Sequence, residues 1–187
     1  RHHGEPLALI AAETPALAYQ ASNLIEYEIE QLPGVYKTTD ALEPDAPIVT
    51  EPDNVVGEYK IRKGDTDKGF AEADFIVEGT YETPAQAHLA IEPCGALAEM
   101  DASGRVTLWS ANQSVFRVQA NVCESLGLPM SKLRSLTPRI GGGFGNKMEA
   151  HVQPVVVALA MRTGRPVKLI LSREEDFECV RARHPMR

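Results

Sequence analysis

Short apolar runs separated by turn residues follow one another along this chain, and their period switches between strand and helix. After Gly4-Glu5-Pro6, the run 7–12 predicts a strand. Thr14 then offers a helix cap with Pro15 at the first helical position, where proline's fixed φ and missing N–H do no harm. Leu17, Ala21, Leu24 and Ile25 fall on one face of that helix. Tyr27, Ile29 and Gln31 alternate with Glu26, Glu28 and Glu30, the pattern of a strand with one solvated face, and Pro33-Gly34 ends it. Residues 41–54, ALEPDAPIVTEPDN, have neither period and are rich in proline and acids. They predict a linker and the best domain boundary in the chain.

Beyond the linker the pattern is mixed α/β. Residues 65–73 suit a short helix and 75–81 a strand, while 96–100 and 106–109 predict a hairpin around Asp101-Ala102-Ser103-Gly104. Ser114 is placed to cap a helix with Val115, Val118, Val122 and Leu126 on one face, and Gly127 stops it. Residues 133–138 predict a strand that runs into a glycine cluster, beyond which a largely apolar helix extends to Thr163, with Gly164 as its cap. A buried strand is expected over 166–171. Ser172 opens a last helix whose first turn, Glu174-Glu175-Asp176, complements the helix dipole.

At 187 residues this is one domain or two small ones. A net charge of −7 and the lack of a Lys/Arg run with interleaved aromatics argue against nucleic acid as a partner. The longest wholly apolar stretch, Val155 to Met161, is too short for a membrane span. No signal peptide is visible, and the chain starts at Arg1 rather than Met. Cys94, Cys123 and Cys179 are single and widely spaced, which suits a reducing compartment such as the cytoplasm and gives neither an iron–sulfur nor a zinc site. They read as small buried hydrophobes.

The strongest chemical signal is IGGGFGNK, residues 140–147. A glycine cluster between a strand and a helix start lets the backbone approach a ligand with its N–H groups turned inward. Two nucleotide fingerprints fail: Asn146 and Met148 stand where a P-loop needs Gly and Ser or Thr, and Gly141, Gly143 and Gly145 lack the G-x-G-x-x-G spacing. Gln113, at the end of the Trp109 strand, is either an ordinary polar loop residue or an uncharged amide donor to an oxo or phosphate oxygen. His88 and Glu92, four apart, would share a helical face; without a third ligand, a buried His–Glu contact is expected rather than a metal site. No Ser–His–Asp or Cys–His arrangement stands out.

Taken in order, HHGEPLALIAAE, EYEIEQLPGVY, DKGFAEADFIVEGTYETPAQAHLAIEPCGALAE, VTLWSANQSVFR, IGGGFGNK and GRPVKLILSREEDF with the later RHP span nearly the whole chain. With these motifs the chain resembles the xanthine dehydrogenase, aldehyde oxidase and carbon monoxide dehydrogenase family. The resemblance implies an internal fragment of the molybdopterin-binding large subunit. Its fold would be mixed α/β: the C-terminal half of an α/β hammerhead-like domain with the Pro-rich linker (residues 1–56), then the start of the molybdopterin-binding domain (57–187). The parent would be a molybdenum hydroxylase that oxidatively hydroxylates an aldehyde, an N-heterocycle or a related small substrate. Its cofactor would be molybdenum on molybdopterin or the cytosine dinucleotide form. The implied partners are the rest of the large subunit, and iron–sulfur clusters and FAD on other domains or subunits.

Carried over residue by residue, Gln113 resembles the family's glutamine beside the apical molybdenum oxygen, and Gly142, Gly143, Phe144 and Gly145 resemble the loop contacting the cofactor. No protein metal ligand is implied. Xanthine-type members carry Glu directly after the motif lysine; here Met148 stands there and Glu149 comes one position late, which argues against a purine substrate. Asn146 matches the carbon monoxide dehydrogenase form of the motif. The catalytic glutamate and most pterin contacts are expected beyond residue 187, so the fragment is expected to be inactive alone. The alternatives are a non-catalytic remnant or separate subunit of such an assembly, and a small phosphate-binding α/β module built on the glycine cluster.

Overall fold

Alternation of apolar side chains over residues 95–110 builds the centre of the structure. The computed structural model describes residues 4–187, so Arg1, His2 and His3 at the head of the HHGEP motif lie outside the described residues. Strands β1 (Gly95–Met100) and β2 (Val106–Ser110) form the expected antiparallel hairpin, with Ala98 opposite Leu108 and Met100 opposite Val106. Asp101 closes the turn: its Oδ1 accepts from the Ser103 N–H and hydroxyl and from the Arg105 N–H.

Helix α3 (Val115–Leu126) carries the chain from β2 to β3 (Leu133–Leu136), which pairs parallel to β2. A parallel pair needs such a crossover because a tight turn cannot reverse the chain twice. After α4 (Gln153–Thr163), β4 (Val167–Ile170) pairs antiparallel with β1, giving the order β3-β2-β1-β4. Val118, Val122 and Cys123 of α3 and Val156, Val157 and Ala160 of α4 pack with Ala96, Ala98, Val106, Leu108 and Leu133 of the sheet. Alanine at 96 and 98 keeps the sheet surface low where α4 lies across β1.

The caps follow the sequence at Thr14 and Ser172, but Ser114, expected to cap α3, makes no side-chain cap hydrogen bond. In α1 (Pro15–Ser22), Thr14 accepts from the Leu17 N–H. In α2 (Thr66–Ala71), Asp65 accepts from the Lys68 N–H. Helix α5 (Arg173–Glu178) opens on a full capping box between Ser172 and Glu175. Gly127 and Gly164 end α3 and α4 in the left-handed conformation.

The chain divides into two compact units, and all the core residues belong to the one made of Arg1–Glu26 and Gln86–Arg183. The other joins Tyr27–Ala85 to His184–Arg187, through the bridge between Thr83 and Met186. Within it the linker is tied by Asn54, whose Oδ1 accepts from the Val49 and Thr50 N–H groups while its Nδ2 donates to the Ala41 and Pro47 carbonyls.

Several expected elements differ. Residues 7–12, 27–31 and 75–81 form no ladder. Alternation specifies an extended backbone with one apolar side, but a strand also needs a neighbour for its N–H and C=O groups, and among the described residues these segments have none. Their side chains are correspondingly bare: Phe75 is 90% and Val77 92% exposed. Strand β4 is not buried, because it lies at the sheet edge with Lys168 and Ile170 outward. Helix α4 begins at Gln153 rather than directly after the glycine cluster. No helix among the described residues is long and apolar enough to cross a membrane.

No residue of 27–85 is buried. So many exposed aromatic and branched side chains favour self-association or the binding of a hydrophobic dye. The 187-residue chain is expected to do one or the other in solution; a monodisperse monomer that leaves the dye dark contradicts this.

Candidate functional site

The antiparallel register sets Ala96 opposite Ser110, so the residues before β1 and after β2 leave the sheet at the same end. Two side chains from these flanks, Glu92 and Gln113, close on the glycine loop. The Gln113 N–H donates to the Lys147 carbonyl at 2.8 Å, and its Oε1 accepts from the Gly145 N–H at 3.0 Å. That second bond fixes the amide's orientation, because a backbone N–H can meet only the carbonyl oxygen. The Gln113 Nε2 group is left exposed with no hydrogen-bond partner among the described residues.

Glycine is required here for two separate reasons. A Cβ on Gly143 would lie 2.4 Å from the Gln113 Oε1 and 2.6 Å from its Cδ, so any side chain would expel the amide. Gly142 and Gly145 have φ of 96° and 98°, which other residues rarely adopt. Phe144 nevertheless sits at φ 51° with its ring largely exposed, a strained backbone presenting an apolar surface.

The loop is anchored by charge. Lys147 is 2% exposed, and its ammonium donates to both the Glu92 carbonyl and Oε2, each at 2.8 Å. The same Oε2 accepts from the Gly141 N–H at 2.8 Å. Burial pushes the Glu92 carboxyl up, but the Lys147 hydrogen bond, the Gly141 N–H and the Lys147 charge together outweigh it and hold its pKa below the ordinary 4.5.

The 88–94 segment is fixed from behind by α5. The Asp176 Oδ1 accepts from the Cys94 N–H at 2.7 Å, and Arg173 donates to Asp176 and to the carbonyls of Ala90 and Ile91. Burial, followed by the Asp176 charge, pushes the Cys94 thiol up to about 12, so it is protonated at neutral pH. Asn146 donates to this sulfur at 3.6 Å and gives its carbonyl to the His151 ring at 2.8 Å.

Of the residues singled out from sequence, Gln113, Gly143 and Gly145 are in direct contact, with Gly142 and Phe144 on the same loop. The expected His88–Glu92 contact does not form. The segment is not helical, Glu92 is taken by Lys147, and the His88 Nδ1 meets the Arg181 carbonyl at 3.1 Å. Glu149 is held by Arg117 at 3.0 Å and Arg181 at 2.8 Å. The Lys147–Glu92 pair escaped the sequence because its partners are far apart in the chain. The available signal was a lysine between a glycine loop and an apolar helix, a position where a cation is buried only if paired.

The loop does not sit at a helix N-terminus, since a 3-10 turn (Asn146–Met148) and an irregular stretch separate it from α4. The helix-dipole argument for a phosphate-binding module therefore fails. Among the described residues no three His, Cys, Asp or Glu side chains cluster as metal ligands. What the site offers is an exposed amide donor held against a tightly fixed loop, a donor that suits an oxygen-bearing group.

A family model described as the molybdopterin cofactor-binding domain matches residues 48–187. The chain is 36% identical over 186 residues to the nicotinate dehydrogenase large molybdopterin subunit of Eubacterium barkeri, matching 100% of this chain and 44% of that protein. It is 34% identical over 185 residues to the xanthine dehydrogenase molybdenum-binding subunit of Escherichia coli, matching 98% of this chain but 25% of the relative. The aldehyde oxidoreductase of Desulfovibrio gigas superposes with a TM-score of 0.84 at 29% identity, covering 93% of this chain and 19% of that one. The chain thus spans less than half the length of these relatives.

The buried ammonium makes a testable demand. Breaking a buried pair costs about 3–5 kcal/mol. Lys147→Met takes away the buried ammonium and leaves Glu92, which is 38% exposed and partly solvated, so it is expected to destabilise by less than that, about 1–2 kcal/mol, in denaturant unfolding at neutral pH. Because the folded Glu92 pKa is lowered, the pair's contribution is complete above 4.5 and is lost as pH falls through the folded value. The gap between wild type and variant should therefore narrow below pH 4.5; a constant gap contradicts the pairing.

Proposed function

This chain belongs to the xanthine dehydrogenase and aldehyde oxidase type family of molybdopterin-binding proteins, and from that premise we propose that it forms one wall of the cofactor site in a molybdenum hydroxylase large subunit. The observation that carries the proposal is the exposed Gln113 amide, held by the Gly145 N–H with its Nε2 donors unpaired among the described residues. When bound, the molybdenum–pterin group supplies the oxidising centre at which an aldehyde, an N-heterocycle or a related small substrate is hydroxylated.

The chain's own residues bind and orient. Gln113 donates to an oxygen of the bound group without adding charge, so it steadies a developing charge distribution that a lysine would overwhelm. Gly142, Gly143 and Gly145 bring the backbone close, and Phe144 turns its ring outward as an apolar surface for a flat substrate. Glu149 stands one position later than the purine-contacting Glu of xanthine-type members and its Oε1 is held by Arg117 and Arg181, while Met148 at the matching position offers only a thioether. A substrate other than a purine therefore suits this wall. Residues 1–56 are assigned to the C-terminal half of the hammerhead-like domain and the Pro-rich linker, and 57–187 to the start of the molybdopterin-binding domain, whose family match reaches back into that linker to residue 48. The catalytic base, the remaining pterin contacts, the iron–sulfur clusters and FAD are assigned to the rest of the subunit or its partners, in the cytoplasm.

Gln113→Ala in the molybdenum-loaded parent protein should lower turnover per bound molybdenum by roughly a hundred- to a thousandfold, the usual effect of losing one preorganised donor. The melting temperature and cofactor content should stay close to wild type, because loop substitutions away from the core usually change stability by less than about 0.5 kcal/mol. Equal turnover in the two proteins removes Gln113 from the site, and a loaded parent with no activity at all favours the non-catalytic remnant.

The 187-residue chain alone is expected to retain no molybdenum–pterin and to hydroxylate nothing, since one wall encloses no cofactor. Purification of this chain with close to one equivalent bound overturns that assignment.

A further inference from the structure

The loop from Gly141 to Lys147 is gripped at both ends by one residue. The Glu92 N–H donates to the Gly141 carbonyl at 3.2 Å, and its Oε2 accepts from the Gly141 N–H and the Lys147 ammonium, each at 2.8 Å. The Glu92 carbonyl accepts from Lys147 as well, also at 2.8 Å. Between these grips Gln113 holds the loop's later part through the Gly145 N–H and the Lys147 carbonyl. The two grips are coupled through Lys147, whose side chain reaches Glu92 while its carbonyl takes the Gln113 N–H. There is no slack: a Cβ on Gly141 would lie 2.6 Å from the Glu92 Cβ.

We propose that Glu92, through its clasp on Gly141 and Lys147, is a positioning residue that sets the outward orientation of the Gln113 amide toward the bound cofactor. The proposal rests on the cofactor-wall assignment above. Glu92 itself touches no substrate. It fixes the loop ends, which fix where the Gly145 N–H lies, and that N–H decides which end of the Gln113 amide faces out. A carboxylate suits this role better than a neutral amide. It accepts from an ammonium and a backbone N–H at once, and charge-assisted bonds hold their geometry more strongly than neutral ones.

The test compares Glu92→Gln, Gln113→Ala and the double variant in the loaded full-length protein, with bound pterin, turnover per bound molybdenum and the Mo(V) electron paramagnetic resonance spectrum as readouts. Supporting groups around a metal centre typically contribute about 10–100-fold to affinity or activity. Glu92→Gln is expected to lower turnover per bound molybdenum by about tenfold, to shift the Mo(V) spectrum in the same direction as Gln113→Ala, and to add little to it in the double variant. Glu92→Asp should restore part of the signal. Should Glu92→Gln not fold, Gly141→Ala displaces the clasp by crowding it without removing a charge, and the same shift is expected. If Gln113→Ala is silent, the wall assignment itself falls. If Gln113→Ala shifts the spectrum while Glu92→Gln and Gly141→Ala leave it unchanged, or if the effects multiply fully in the double variant, the positioning role alone is overturned.

Discussion

The fold around the site depends on one constraint: a lysine ammonium placed where water hardly reaches it. An unpaired charge there would cost several kcal/mol, so the structure must supply acceptors for Lys147. It finds them in the carboxylate and carbonyl of Glu92, far back in the chain. Meeting that requirement draws the entry to β1 against the end of the glycine loop. It also explains why a segment with no regular secondary structure is nevertheless well fixed, since α5 holds it from the other side through Arg173 and Asp176.

The glycine loop is consequently a rigid feature built from permissive residues. Glycine gives freedom in the unfolded chain, and here it is spent on close approach at Gly143 and on left-handed backbone at Gly142 and Gly145. The hairpin register does the rest, because it delivers Glu92 and Gln113 to the same end of the sheet. An exposed, uncharged donor held beside the loop follows, in a chain that belongs to the molybdopterin-binding family.

The two compact units differ in how much of their apolar surface is covered. The sheet with α3 and α4 buries its small and branched side chains on one face. In Tyr27–Ala85 the aromatic and branched residues stay exposed, although their alternation is that of strands. A sheet is a cooperative object: each extended segment contributes a face and a row of hydrogen-bonding groups, and both stay unused until a neighbour arrives.

Local elements were therefore readable wherever the determinant was local. Thr14 and Ser172 as caps, Gly127 and Gly164 as stops, and the Asp101–Gly104 turn all act within a few residues and appear as their chemistry requires, whereas Ser114 stands at the start of α3 without a cap bond from its hydroxyl. The motif IGGGFGNK suggested a ligand-contacting loop through its glycines around a phenylalanine, whereas Gln113 was singled out only by the family resemblance. Long-range pairing was not readable. Nothing in residues 7–12, 27–31 or 75–81 says whether a partner strand is present, and the spacing of His88 and Glu92 suggested a contact that only a helix would have made. Glu92 meets Lys147 instead, because the site of a buried charge and the carboxylate that reaches it are set by the packing of β1, β2 and the loop in three dimensions. The sequence alone determined which residues could bind. The tertiary structure decided which of them meet, since burial is what makes Lys147 demand a partner while the exposed Gln113 amide is oriented only by the loop N–H brought against it.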